Sequence, residues 1–576
     1  MRDRCAGRPL RRPLQRLLQH LLRCPPGLPG VLLCALLAGC GGGGGGTPAA
    51  PTPPLPPPGP GDSAYSDPAT YSAAPGAALP GAVETAAVTH HSLPLGGGTL
   101  AYTATAGHLI ARDATSGVAE ASMFYVAYTA DGADPADPAA RPVTFLYNGG
   151  PGSASVWLHL GSFAPVRLAT GVPATTAATP FALVANHESL LGSTDLVFVD
   201  AVGTGLSEAL APATNQTFWG VDADAAVFRD FILRWLAANG RSGSPKFLYG
   251  ESYGGPRTAV LAGLLQRAGV ALTGLVLQSP ALDYNSNCGI TGAGNCGANL
   301  PSYAAIGDAQ GLLSPTPPDL DAYAGQMRSL ADARYQPAVA ALLATGTPPP
   351  PDLPPLLAAD TGIAQGLWQS QFNLYPGTFQ ASLLPGRITG RYDGRMSAAL
   401  GSPLAADGDP SSTYITPSFT STIASYLRDT LRYDTGSTYV VVGNAIASWD
   451  FSHAGRALPD TVPDLAADLA ADPALRVLMV GGYDDLATPF HVTERDLARL
   501  GPSARVQLRI YPGGHMTYLD DATRVRQRAD LQAFLRGAPA AAAAAATTPA
   551  QAALQAALQA HPLAVRRGPA PDRAGL

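Results

Sequence analysis

Charge is scarce in this chain. Only 14% of its 576 residues are Asp, Glu, Lys or Arg, and the formal balance is −6. Without a basic surplus there is no electrostatic case for a nucleic acid partner. Cysteine is also rare, six in all, and Cys5, Cys24, Cys34 and Cys40 fall in the first forty residues. The remaining two, Cys288 and Cys296, have no nearby histidine or further cysteine to complete a zinc tetrad. His453 and His491 lack a second histidine at metal-ligand spacing, which argues against a metallohydrolase, and no metal is expected. No internal repeat is visible, so a solenoid is excluded. The longest leader run, "GVLLCALLAGC" at 30–40, is too short for a permanent bilayer-spanning helix. Glycine (64) and proline (55) are plentiful, and 46% of residues are hydrophobic. A sizeable core with extensive loops follows, in one large domain with insertions or two to three ordinary ones.

The two ends read as appendages. Arg2, Arg4, Arg8, Arg11, Arg12, Arg16 and Arg23 precede the short apolar run, in the layout of an export signal. "LAGC" at 37–40 resembles the lipobox of bacterial lipoproteins, in which Cys40 becomes the lipidated first residue, and a "GGGGGG" tether follows it. The plainer alternative is an ordinary export signal. An exported location, in the periplasm or on the outer membrane through a lipid anchor, permits a disulfide. The Gly-rich loop "NCGITGAGNC" makes Cys288 and Cys296 the candidates. The expected organisation is a signal over 1–40, a Gly/Pro/Ala-rich tether over 41–84 and a folded body over 85–537. A low-complexity Ala-rich tail covers 538–576.

Within the body, short apolar runs at 142–148, 195–200, 246–250, 274–279, 476–482 and 505–511 predict buried strands of a parallel sheet. A helical pattern lies between them at 222–240, where Phe228, Phe231, Ile232, Trp235 and Leu236 share one face and Asn239-Gly240 stops it. Strands alternating with helices imply an α/β fold with helices on both faces of a mostly parallel sheet. The alternation breaks over 283–435, a stretch rich in Pro, Gly, Tyr and Ala that predicts a mainly helical cap. The core is then split into 85–282 and 436–537, and its sheet resumes with "STYVVVGN" or "RVLMVGG".

Chemistry concentrates in three loops. Gly250-Glu251-Ser252-Tyr253-Gly254 has the G-x-S-x-G pattern between an expected strand and an expected helix. That context produces a tight turn that pushes the serine Oγ into the open. Downstream, Asp484 and Asp485 follow one strand-like run and His515 follows the next, in the order an α/β-hydrolase requires for acid and base. An oxyanion hole needs two backbone N–H donors. The amide of Tyr253 is one candidate, and Gly150 in "FLYNGGPGSAS" is the other.

"NGGPGSAS", "GESYGGP", "YDDLATP" and "PGGHM", in this order, resemble the serine carboxypeptidase family of α/β-hydrolases, over about residues 85–537. "DAVGTGLSEA", "LPSYAAIGDAQG" and "RYDGRM" resemble segments of its bacterial members. The resemblance implies an α/β-hydrolase fold, Ser252 as nucleophile and His515 as general base. It puts the acid on Asp485, four residues before Pro489, and leaves Asp484 as a turn residue. It further implies that Glu251, with Asn148, receives the terminal carboxylate of a substrate. Family members set a second glutamate about a dozen residues beyond the Asn-Gly-Gly turn, and Ser162 occupies that place here. The acid pair is therefore incomplete.

The implied function is an exported serine carboxypeptidase acting on peptide substrates through an acyl-enzyme, with no cofactor. An esterase or acyltransferase on the same triad is the alternative within the fold. An inactive surface binding lipoprotein is the alternative outside enzymology.

Overall fold

A computed structural model describes residues 61–132 and 140–537. The export signal with Cys40, the tether up to residue 60 and the tail from 538 lie outside the described residues. Nine strands form the path of one sheet: β1 (Ala86–Leu95), β2 (Gly98–Arg112), β3 (Ala119–Ala130), β4 (Val143–Tyr147), β5 (Asp195–Val199), β6 (Lys246–Glu251), β7 (Gly274–Gln278), β8 (Arg476–Gly482) and β9 (Val506–Tyr511). Their spatial order is β9-β8-β7-β6-β4-β5-β3-β2-β1, and a two-residue strand at Glu208–Ala209 adds to β3. The run from β9 to β5 is parallel, whereas β5–β3, β3–β2 and β2–β1 are antiparallel.

The parallel strands β4 to β8 are buried on both faces because alternate side chains enter two separate cores, whereas β9 at the edge is mostly half-buried. Phe145 and Tyr147 of β4 and Leu248 of β6 pack with helices 221–238, 254–267 and 462–471. Leu146, Phe247 and Tyr249 point the other way, against helices 156–161, 410–425 and 521–535. The predicted apolar face of helix 221–238 is buried in full, and Asp222 and Asp224 in its first turn complement the helix dipole. This is the α/β-hydrolase fold, with a mostly parallel sheet covered by helices on both sides.

Sequence patterning did not reveal the antiparallel edge β1–β3. In β2 the inward positions Ala104 and Ala106 alternate with Thr103 and Thr105, so the period-2 signal is carried by alanine and lacks contrast. Nor does the body begin at residue 85, for residues 61–84 pack onto it. Strand Tyr65–Asp67 pairs with Tyr433–Thr435, and the hydroxyls of Tyr71 and Tyr433 both donate to Asp67 Oδ2, at 2.9 and 2.5 Å. These anchors, with Leu79 buried against Ile110 and Leu210, hold a stretch that composition alone makes look like linker. Of the two candidates for resumption of the sheet, "RVLMVGG" forms β8. "STYVVVGN" contributes single bridges from Val440 to Gly205 and Val442 to Ser153.

The inserted region is mainly helical, with helices at 300–309, 320–330, 336–345, 353–361, 376–382 and 410–425. It has its own core around Tyr303, Ile306, Tyr335, Trp368 and Phe379, and Leu486 of the β8 loop is part of it. Cys288 and Cys296 are disulfide-bonded at its start, with Cα atoms 5.4 Å apart. Among the described residues no helix is long and apolar enough to cross a membrane.

Candidate active site

Loops at the carboxyl ends of β4, β6, β8 and β9 converge where α/β sheets bind ligands. The loop after β6 turns within one residue. Ser252 takes φ 61°, a left-handed conformation that costs a side-chain-bearing residue of order 1–3 kcal/mol. Backbone packing enforces it. A Cβ on Gly250 would come within 2.1 Å of the Gly254 carbonyl oxygen, and one on Gly149 within 2.5 Å of the Tyr253 nitrogen. Only glycine fits at either place. The result is selective exposure, because from Lys246 to Gly263 Ser252 alone is not fully buried.

His515 and Asp485 meet above β8 and β9. Asp485 Oδ2 accepts from His515 Nδ1 at 2.7 Å, and its other oxygen accepts from the amides of Ala487 (2.7 Å) and Thr488 (3.0 Å). The Thr488 hydroxyl lies 2.8 Å from Asp485 Oδ2 and 3.0 Å from His515 Nδ1, while donating to Ser279 O at 2.9 Å. With Nδ1 held by the acid, Nε2 is left as the basic nitrogen. Burial disfavours the imidazolium, but the charges of Asp485 and then Glu251 outweigh it, and the pKa of His515 is raised. Asp484 is not the imidazole's partner. Its Oδ2 accepts from Gly513 N at 3.1 Å, which ties the β8 and β9 loops together, and burial raises its carboxyl to about 7.

The two loops are locked to the serine through β7. Gln278 O accepts from Ser252 N at 2.9 Å, and Ser279 Oγ donates to His515 O at 2.7 Å. Sequence reasoning missed both this clamp and Thr488, since single polar residues after an apolar run carry no pattern.

The β4 turn supplies the remaining groups. Gly150 has φ 102°, and no acceptor of the described chain engages its amide or that of Tyr253. Asn148 Nδ2 donates to Glu251 Oε1 at 2.7 Å, and Asn148 Oδ1 accepts from Leu158 N at 3.0 Å, which orients the amide. Glu251 Oε2 is buried and faces the buried hydroxyl of Tyr518, which favours its charged form. Burial pushes Glu251 up to about 7, against the opposing effects of the His515 charge and of hydrogen bonds. Ser162 takes no part. It is fully buried at the end of helix 156–161, and its Oγ donates to Leu158 O at 2.5 Å.

A buried ion pair stands behind the turn. Arg257, on the helix that follows Ser252, donates to both carboxylate oxygens of Asp224 at 2.6 and 3.1 Å and to Asn148 O at 2.6 Å. Its guanidinium also lies 4.4 Å from the Phe228 ring centre. Three elements are joined by one side chain. His453 and His491, set aside on sequence grounds, are held by Asp222 and Asp464 and by Glu494 and Asp332 respectively. Among the described residues no group of three or more His, Cys, Asp or Glu is arranged to hold a metal ion.

The family model described as serine carboxypeptidase matches residues 95–290, the segment with the Asn-Gly-Gly turn and the serine elbow. No curated protein matches the chain. Among solved structures, the chain is similar to Kex1(delta)p, a prohormone-processing carboxypeptidase from Saccharomyces cerevisiae. The TM-score is 0.47 at 15% identity, over 76% of this chain and 91% of that one. Proline iminopeptidase from Mycobacterium smegmatis gives 0.32 at 19% identity over 76% and 99%. A soluble variant of monoglyceride lipase from Saccharomyces cerevisiae gives 0.33 at 13% identity over 74% and 96%.

Replacing Arg257 by Met strands the Asp224 carboxylate and frees the Asn148 carbonyl. Chemical denaturation should report a loss of about 3–5 kcal/mol. Arg257→Met with Asp224→Leu should recover part of that loss, and strictly additive losses would refute the coupling.

Proposed function

We propose, from the likeness of residues 95–290 to the serine carboxypeptidase family model, a peptidase that removes C-terminal residues by an acyl-enzyme mechanism. The observation that carries the reading is the His515–Asp485 contact of 2.7 Å, locked through Gln278 and Ser279 to an elbow that exposes only Ser252. Ser252 Oγ attacks the scissile carbonyl as His515 Nε2 takes its proton, and the oxyanion that forms accepts from the Gly150 and Tyr253 amides. The protonated imidazole, stabilised by Asp485, passes the proton to the leaving amine. Water then repeats the sequence on the acyl-enzyme.

Glu251 and Asn148 would meet the substrate carboxylate. A carboxyl group with a pKa of about 7 is protonated on the acid side and can donate a hydrogen bond to that carboxylate. Above pH 7 it becomes a second anion and repels it.

The test compares a blocked dipeptide with a free C-terminus, its amide and a simple ester. Free-acid hydrolysis should dominate, Ser252→Ala should lower it by about 10⁴-fold or more, and a fluorophosphonate should label wild type alone. Preference for the ester or amide would favour an esterase or acyltransferase, and folded wild type that resists the probe would favour a binding protein.

KM for the free acid should rise about tenfold or more as pH passes through 7, because a hydrogen bond to a charged group is worth about 1.5–3 kcal/mol. The Glu251→Gln enzyme, whose amide donates at every pH, should show a flat KM. A rise in that variant equal to that of wild type removes Glu251 from carboxylate binding.

The basic leader, the apolar run and Cys40 before six glycines support export and lipid anchoring at the periplasmic face or outer membrane. In the native host, Cys40→Ser should abolish the lipid mass and detergent partitioning. Unchanged partitioning would refute the anchor.

A further inference from the structure

An acid that must bind an anion is an electrostatic difficulty, and here it is unshared, because Ser162 makes no contact with Glu251. A cation at the site would relieve it. The cap segment Gly390–Met396 has two arginines, and their surroundings differ. Arg395 is saturated, with Nε and Nη2 on Asp393 and Nη1 on Asp520 at 2.9 Å. Arg391 is half-buried, and its guanidinium has no carboxylate at ion-pair distance and no hydrogen bond among the described residues.

The backbone fixes where Arg391 sits. Its amide donates to Asp409 Oδ1 at 3.0 Å, and its carbonyl accepts from Leu486 N, the residue after Asp485, at 3.0 Å. The next carbonyl, of Tyr392, accepts from His515 N at 2.6 Å, and the Tyr392 ring centre is 5.2 Å from that of the imidazole. The segment therefore lies across the catalytic acid and base. The positive charge of Arg391 reaches both neighbours. On His515 it opposes the imidazolium that Asp485 and Glu251 favour, and on Tyr392 it opposes the rise caused by burial and by the charges of Asp409, Asp485 and Glu251.

We propose that Arg391 is a specificity-determining residue, a cationic receptor supplied by the cap that pairs with the substrate's terminal carboxylate beside Glu251 and Asn148. The inference rests on the carboxypeptidase reading. It explains how a site with one acid of the usual pair can still select a chain end: guanidinium binds carboxylate bidentately and stays charged at every working pH. The side chain has no structural partner to lose, so its replacement should not compromise folding.

The experiment uses the full protein with Arg391→Gln and Arg391→Lys, active sites being counted by fluorophosphonate labelling. Blocked dipeptides are compared as free acid and amide, each ending in Ala or in Glu. In Arg391→Gln the free-acid kcat/KM should fall about tenfold further than that of the amide, mainly through KM, and Lys should restore part of it. With the cation gone, the acid limb of the amide profile should move to higher pH, since His515 holds its proton longer. Equal losses on acid and amide overturn the inference, as does an effect that follows the Glu side chain and not the terminus. Wild type that prefers the free acid while Arg391→Gln keeps that preference sinks Arg391 alone. Wild type indifferent to the terminus overturns the carboxypeptidase reading itself, and this inference with it.

Discussion

The contact between Arg257 and Asp224 is the point on which the site depends. Two charges are held with almost no solvent, which is tolerable only because each is matched in geometry and the fifth-donor economy of the guanidinium leaves a hand for Asn148 O. Through that third bond the pair fixes the turn after β4 to the helix after β6. The Gly150 and Tyr253 amides come from these two elements, so their separation is set by a side chain that touches neither. Helix 221–238 supplies Asp224 and packs Phe228 under the guanidinium, which makes the sheet's main covering helix part of the same brace.

Around that brace the site is assembled by close approach more than by area. Gly149 and Gly250 let two backbone segments meet at distances no Cβ allows, and the strain at Ser252 is borne by this packing. The same crowding removes water from Glu251, Asp485 and His515. Dehydration raises Glu251 and opposes charge on His515, while the anionic neighbours favour it. The acid–base character of the site is thus a balance of burial against three nearby charges, one of them contributed by the cap through Arg391.

Much of this was legible in one dimension. The parallel strands β4 to β8 announced themselves as near-continuous apolar runs because both of their faces are buried, and helix 221–238 did so through its single apolar stripe. The elbow, the acid loop and the histidine loop each follow such a strand, so order along the chain was informative about Ser252, Asp485 and His515. What escaped had a physical reason in each case. In β2 the inward Ala104 and Ala106 leave little hydrophobic contrast with Thr103 and Thr105. Residues 61–84 are held by scattered contacts, Asp67 with Tyr71 and Tyr433 and Leu79 with Ile110 and Leu210, that no composition window distinguishes from linker.

By itself, the sequence determined the periodicities, the glycines at the turns and the order of the reactive groups, because these are local properties encoded within a few residues. Tertiary structure alone decided which carboxylate faces the imidazole, that Thr488 and Ser279 clamp it, that Ser162 bonds back to its own helix, and that the charge of Arg391 acts on His515 while Arg395 is spent on its neighbours. Those outcomes depend on contacts between residues up to hundreds of positions apart. They are fixed by burial and by competition among partners, quantities that exist only once the chain has closed on itself.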